Sequence, residues 1–431
     1  MAKVRGAIVS YLVRFALSLV MGVVISRALE PEGRGEYSIV VVVAGVAILL
    51  GHLSIGQASV SFWASHRGVI VPNALLLGPP LGIAAAAIVW SAVAGLGPGV
   101  VPIANPGLLA VALAMVPIAV TIVHLTMITL LMGRVDVVNR SLTIAAGVQC
   151  AVLLALSVAG LLTTTSVVWA WALGTVLPLA ILLPTLRPHL GAPDFRLARR
   201  MIEAGAQYHL GVAALFLLLR TDVLLLNALT TAEAVGLYTL AVSIGEMTYA
   251  GTDALSHALI GRQAEAQIQE AAHLTIRTTR VALIVAGVTV AGLCVVAPLL
   301  VPLLYGEAFS PSVAALFALA PGILVYAATR GITPYLLRLG RPFLMSGLSL
   351  LALSANVTLG LTLIPRWGIV GCALATTGGY LVLAAGLVTW LRRSSGQPLA
   401  ALVPGASDLA VILNGVRSAI PRRHSRRAAG D

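Results

Sequence analysis

The chain has 431 residues, 59% of them hydrophobic and only 10% charged, with a mean hydropathy of +1.00; ordinary soluble domains are roughly a quarter charged. So much apolar surface excludes both a water-soluble globule and a disordered chain. The net charge of +12, from 27 basic and 15 acidic residues, points in so apolar a chain to loops facing anionic lipid, not to nucleic acid.

A helix across a bilayer takes roughly 20 apolar residues. Twelve such runs can be placed, at 7–29, 37–62, 74–95, 107–132, 141–162, 166–186, 206–229, 235–259, 280–304, 313–337, 343–364 and 369–391. An outer-membrane barrel does not fit, because its strands are about 10 residues long and alternate in polarity. The start resembles a signal peptide, with Lys3 and Arg5 ahead of an apolar stretch, but Arg14 interrupts that stretch and no small-x-small cleavage site follows. A retained first helix is therefore expected. Cys150, Cys294 and Cys372 fall in apolar runs without metal-ligand spacing, so neither a disulfide framework nor a metal site is expected, and no cofactor.

With the N-terminus inside, the inward segments and tail hold 21 basic residues, the outward loops two (Arg34 and Arg366), and the helices four (Arg14, Arg27, Arg220 and Arg330). This bias predicts a multi-pass protein of the cytoplasmic membrane with both termini cytoplasmic. The outward loops are short and carry Glu30, Glu32, Glu36, Glu233 and Glu307. The inward stretch 262–280 is rich in Gln, Glu and Ala without Pro or Gly, which predicts a surface helix extending from the membrane. Beyond Arg393 the apolar pattern weakens. The tail either lies on the inner membrane surface or is disordered.

Glu32-Gly33-Arg34-Gly35-Glu36-Tyr37-Ser38 recurs 201 residues later as Glu233-Ala234-Val235-Gly236-Leu237-Tyr238-Thr239, in both places leading into the next helix. Leu131-Met132-Gly133-Arg134 echoes Arg338-Leu339-Gly340-Arg341. The alternative is chance similarity between short turns. Read together, the echoes lay helices 1–6 over helices 7–12. Six is even, so both halves enter the membrane the same way, as parallel repeats about an axis along the membrane normal. The expected fold is an all-α polytopic membrane protein of about 12 helices, two parallel six-helix repeats around a central cavity. The expected divisions are 1–205, a lobe with its following inward loop; 206–393, the second lobe; and 394–431, a basic cytoplasmic tail.

The stretch 29–40, LEPEGRGEYSIV, resembles the loop after the first helix of oligosaccharide flippases. These form the polysaccharide-transport branch of the multidrug/oligosaccharidyl-lipid/polysaccharide exporter superfamily. LLRTDVLLLNALTTAEAVGLYTLA at 218–241, LYGEAF at 304–309 and IPRWGIVGCALAT at 364–376 resemble the same proteins in the same order. The resemblance implies a two-lobed bundle that works by alternating access. Its substrate would be a polyprenyl-diphosphate-linked oligosaccharide or polysaccharide repeat, moved from the inner to the outer leaflet. Its partners would be membrane lipids and, by that role, a glycan polymerase or other envelope-assembly protein. Only Asp222, within Arg220-Thr221-Asp222, sits on a motif position that carries over.

Ionisable residues at membrane depth are costly and are functional candidates by default. Arg14 shares a helix face with Ser10 and Ser18, and Arg330 shares one with Tyr326 and Thr333. One arginine in each half suits capture of a diphosphate in a central cavity, because guanidinium stays charged and holds phosphate oxygens bidentately. The alternative is pairing with a carboxylate such as Asp253 for packing alone. Arg220 is a third candidate, with a structural ion pair as its rival, while Arg27 is expected to snorkel or pair with loop glutamates. Thr239, Ser243, Glu246, Asp253 and His257 form one polar helix stripe, which must face a wet cavity or partner helices. Asp222, Glu246, Asp253 and His257 are candidates for ion coupling or ion pairing. His52, His124 and His209 read as isolated, hydrogen-bonded residues.

Enzyme readings find little support. The only lysine is Lys3, which rules out a Walker A loop, and HExxH, GxSxG and GxGxxG motifs are absent from the sequence. A membrane polymerase or ligase of lipid-linked sugars needs a long outward loop, and the longest here is about a dozen residues. A multidrug or small-molecule exporter of the same superfamily remains an alternative, as does a non-transporting scaffold. The arginine-rich interior favours an anionic substrate.

Overall fold

The computed structural model describes residues 2–97, 101–265, 267–339, 341–405 and 408. Thirteen α-helices appear among them: α1 (Ala2–His52), α2 (Ile55–Leu96), α3 (Pro106–Ala114), α4 (Val116–Leu131), α5 (Val135–Val158), α6 (Thr164–Leu186), α7 (Phe195–Leu218), α8 (Thr221–Leu229), α9 (Ala232–Glu265), α10 (Ile268–Tyr305), α11 (Ser312–Thr329), α12 (Ile332–Arg338) and α13 (Pro342–Ser395). There are no strands among the described residues. Nine runs within them are long and apolar enough to cross a membrane.

Two of these runs are pairs of spans. Within α1 the backbone leaves the helical region at Glu30 (φ 55°), just before Pro31. A straight helix would put Arg34 about 12 Å along the axis from Ser26, yet Arg34 Nη1 donates to Ser26 Oγ at 2.6 Å. The chain therefore folds back at Glu30. Within α13 the break is Gly368 (φ 53°), a left-handed conformation that glycine adopts freely. Asn356 Nδ2 then reaches Thr376 Oγ1 at 3.3 Å across the turn. With these two turns and the long α9, the expected twelve spans are accounted for.

Other spans are broken without reversing. The expected helix at 206–229 divides at Arg220 into α7 and α8, and that at 313–337 divides at Arg330 into α11 and α12. Arginine thus marks a break in both. Residue 205 lies inside α7, which packs on α2 and on α13 and so touches both halves. The stretch expected as a surface helix extending from the membrane ends α9 and begins α10, and Ala271, Thr275 and Ile276 there are buried. From this stretch α10 continues unbroken into the span. The tail is described only at its start, where buried Asp408 pairs with Arg280 Nε at 3.1 Å.

The outer surface is apolar. Val288, Val295 and Leu299 on one face of α10 are all exposed, as a helix against lipid tails requires. The molecule is a multi-pass membrane protein. Its largest core cluster joins the two halves, with Ile39 and Val43 of α1 and Val120 of α4 packed with Tyr238 and Ala241 of α9 and Leu316 of α11.

The three histidines meet at the α1–α2 junction, where Leu53 and Ser54 both have positive φ (41° and 52°). His124 Nε2 lies 2.9 Å from the His52 carbonyl oxygen, His209 Nδ1 lies 3.2 Å from Ser54 Oγ, and the His52 and His209 rings are edge to face. They are clustered rather than isolated.

Candidate functional site

The seam between the halves carries an internal symmetry. A Cβ placed on Gly35 would fall 1.8 Å from the Ala232 carbonyl oxygen, and one on Gly236 would fall 1.8 Å from that of Pro31. Gly35 and Gly236 are 201 residues apart, as are Pro31 and Ala232, the offset of the sequence echo. The Ser38 and Thr239 hydroxyls, again 201 apart, share a 3.1 Å hydrogen bond. Equivalent residues therefore touch each other reciprocally, as across a two-fold axis. Only glycine allows the backbones this close.

Beside this seal lies a cavity of about 310 Å³, walled by both halves. Tyr11, Phe15, Ser18 and Gly22 line it at helical spacing from α1, and Ser243, Glu246 and Met247 from α9, with Arg34 and Tyr305 completing the wall. Of the residues the sequence singled out, Ser18, Ser243 and Glu246 line this cavity. Glu246 Oε1 pairs with Arg220 Nη1 at 3.2 Å, each side chain about one-third exposed (34% and 33%). The ion partner of Arg220 is a residue of α9, not its near neighbour Asp222.

Arg14 is half-buried, one turn from Ser18, and no carboxylate pairs with it among the described residues. Arg330 is elsewhere. Its guanidinium lies 4.9 Å from the ring centre of Tyr249 and 5.5 Å from that of Tyr326. Tyr326 stacks on Tyr380 at 4.8 Å and meets Tyr249 edge-on at 5.4 Å. A cation over such rings gains about 0.5–2 kcal/mol per face. The Arg330–Tyr326 contact follows from their i, i+4 spacing; Tyr249 and Tyr380 come from α9 and α13, and nothing local announced them. Neither Arg14 nor Arg330 is among the residues that line the cavity described above.

Asp222 is 2% exposed. Its carboxylate accepts from the Tyr238 hydroxyl, from Thr376 Oγ1 at 3.0 Å and from its own neighbour Val223 N–H at 2.8 Å. It thereby ties α8 to α9 and α13. Asp253 and His257 lie on α9, but their side chains fall outside the described residues. Arg27 pairs with no glutamate among the described residues. It donates from Nε to the Leu304 carbonyl at 2.8 Å and from Nη2 to that of Leu303, satisfying the last carbonyls of α10. These acceptors are chain ends that lack helical partners, which is why they compete successfully for the guanidinium.

The family model for polysaccharide biosynthesis proteins matches residues 3–250, more than half of the chain. The chain belongs to the polysaccharide biosynthesis protein family. Among proteins of curated function none matches it in sequence. Its fold is similar to that of the lipid II flippase MurJ in an inward-closed conformation, with a TM-score of 0.72 at 11% identity over 97% of this chain and 93% of that one. It is also similar to an inward-facing multidrug-resistance transporter of the MATE family, with a TM-score of 0.65 at 15% identity, covering 90% of this chain and 98% of that one. A third likeness is to a superfamily transporter from Pyrococcus furiosus described by the reversed polarity of its binding pocket, with a TM-score of 0.64 at 14% identity over 91% and 94% of the two chains. At such identities these likenesses concern the fold.

The residue that sequence reasoning missed in this family member is Arg34. Its place between two glutamates suggested an exposed outward loop, yet it is 7% exposed and lines the cavity. The fold-back at Glu30 turns it inward. The only sequence signal was the pair of glycines flanking it, which permits that close turn.

Proposed function

We propose that the protein is a flippase, which carries a polyprenyl-diphosphate-linked oligosaccharide or polysaccharide repeat across the cytoplasmic membrane by alternating access. The observation that carries this reading is the cavity at the seam of two equivalent halves, walled by both and next to the reciprocal Gly35–Gly236 contact. A site at a repeat interface is what a rocking transporter needs. Family membership and the likeness to a protein named as a lipid II flippase support it. The distribution of basic residues supports cytoplasmic termini, with the Glu30 end facing outward.

In this reading the lobes are 1–205 and 206–393, with 394–431 a basic tail facing the inner leaflet. Arg14 and Arg330 take the diphosphate as the halves move, with Ser18 and Tyr326 beside them. The Arg220–Glu246 pair opens and closes across the cavity wall. Glu246, Asp222, Asp253 and His257 are the groups through which an ion gradient would act. A cationic drug suits the cavity less well, because Arg34 brings positive charge to its wall.

The test is flipping in sealed proteoliposomes, with a sugar-tagged polyprenyl diphosphate and an impermeant reagent that reports its leaflet. Arg14→Ala and Arg330→Ala are each expected to slow translocation about 10–100-fold while the protein stays folded, the loss of one charge-assisted phosphate contact of about 1.5–3 kcal/mol. Translocation unaffected by both changes would keep the function and discard these two roles. A wild type that moves no lipid-linked sugar, with or without a proton or sodium gradient, would discard the flippase.

A further inference from the structure

Arg34 is a buried cation with no ion pair among the described residues. Its hydrogen-bond partners are all neutral: Ser26 Oγ at 2.6 Å, the Gly22 carbonyl at 3.4 Å and Ser243 Oγ at 3.4 Å. Its Nε–H has no partner. The one carboxylate on the same cavity wall, Glu246, is taken by Arg220. Burying an unpaired charge costs several kcal/mol, so a site of this kind is completed by an anion brought from outside.

The position says which anion. The guanidinium sits level with Gly22, about 12 Å along α1 from Arg14. A diphosphate held at Arg14 does not reach that far. Arg34 also lies next to the Gly35–Gly236 contact, on the side of the cavity away from Arg14, where the sugar of a lipid-linked substrate held at Arg14 would lie. We propose that Arg34 is a specificity site for an acidic sugar, binding an oxyanion of the glycan, a carboxylate or an ionised substituent, separately from the diphosphate. This deepens the flippase reading and rests on it.

Full-length protein in nanodiscs would be titrated with two short-chain polyprenyl diphosphates, one bearing glucose and one bearing glucuronic acid. The wild type is expected to bind the glucuronyl lipid at least about tenfold more tightly, the margin of one charged hydrogen-bonded contact. Arg34→Gln should reduce the two affinities to within about twofold of each other without weakening the glucosyl lipid, and Arg34→Lys should retain part of the preference. Equal binding of both lipids by the wild type overturns the acidic-sugar site and leaves the flippase standing. Arg34→Gln that weakens both lipids alike assigns the oxyanion to the diphosphate and likewise overturns the proposal. A wild type that binds neither lipid overturns the flippase reading together with it. The wild-type comparison needs no variant to fold, and melting of the Arg34→Gln protein shows whether its loss is one of binding.

Discussion

Gly236→Ala is expected to leave the helices intact and to slow translocation roughly tenfold or more. The added Cβ would stand 1.8 Å from the Pro31 carbonyl oxygen, a backbone atom that cannot turn aside. Forcing a methyl group into a packed seam costs about 1–3 kcal/mol. Here the sealed state bears that cost and the opened state does not, so the balance between them shifts about 10–100-fold. A transporter that must pass through both states slows in proportion. The reciprocal geometry makes a second, sharper claim: Gly35→Ala, whose Cβ meets the Ala232 carbonyl oxygen at the same 1.8 Å, should slow transport by a similar factor. Oxidative crosslinking of Ser38→Cys with Thr239→Cys, whose parent hydroxyls are 3.1 Å apart, reports the sealed state directly. Crosslinking should fall in both glycine variants. Unchanged flipping and crosslinking in either one would refute the seal.

Asp222→Ala is expected to destabilise the protein by about 2–4 kcal/mol. The Tyr238 and Thr376 hydroxyls both donate to the same oxygen, Asp222 Oδ2, and both residues are buried, with Tyr238 0% exposed. Removing the acceptor leaves at least one buried donor unsatisfied, because the two hydroxyls lie 3.0 Å apart and only one can donate to the other, at about 1–3 kcal/mol. A cavity left by the carboxylate adds to this. The measurement is thermal unfolding in detergent, where the variant should melt several degrees below the wild type. Asp222→Asn separates structure from ion coupling. Its amide oxygen still accepts from the hydroxyls, so most stability should return. If that stable variant flips normally under a gradient, Asp222 is a structural tie between α8, α9 and α13. Gradient-driven flipping lost in a stable Asn variant would instead assign it to coupling, and an Ala variant as stable as wild type would sink the structural account.

What could be read before folding was local or periodic. Long apolar runs mark spans because a bilayer demands about 20 such residues whatever they pack against. The polar face of α9 was legible at Ser243 and Glu246 because helical spacing is independent of partners. The Arg330–Tyr326 contact was legible for the same reason. The echo around Gly35 and Gly236 was legible as a repeat, and its offset of 201 residues reappears as a contact. That the two copies touch each other could not be read from the echo itself.

The remaining features depend on which distant segments meet. Arg220 chose Glu246 over its neighbour Asp222 because the break before α8 turns the two side chains of one short stretch apart. Asp222 acquired its partners from α9 and α13, more than 150 residues of chain away in the case of Thr376. Arg330 found Tyr249 and Tyr380 on two other helices, and Arg27 found the open end of α10. Arg34 looked like a loop charge until the turn at Glu30 carried it inside. By itself, then, the sequence determined the spans, their polar faces and the two-fold repetition, because burial in lipid and helical periodicity act within a single segment. Only the tertiary structure decided which charges are paired, which is buried alone and where the halves seal, because a guanidinium or a carboxylate takes whichever partner the packing of other helices brings within about 3 Å.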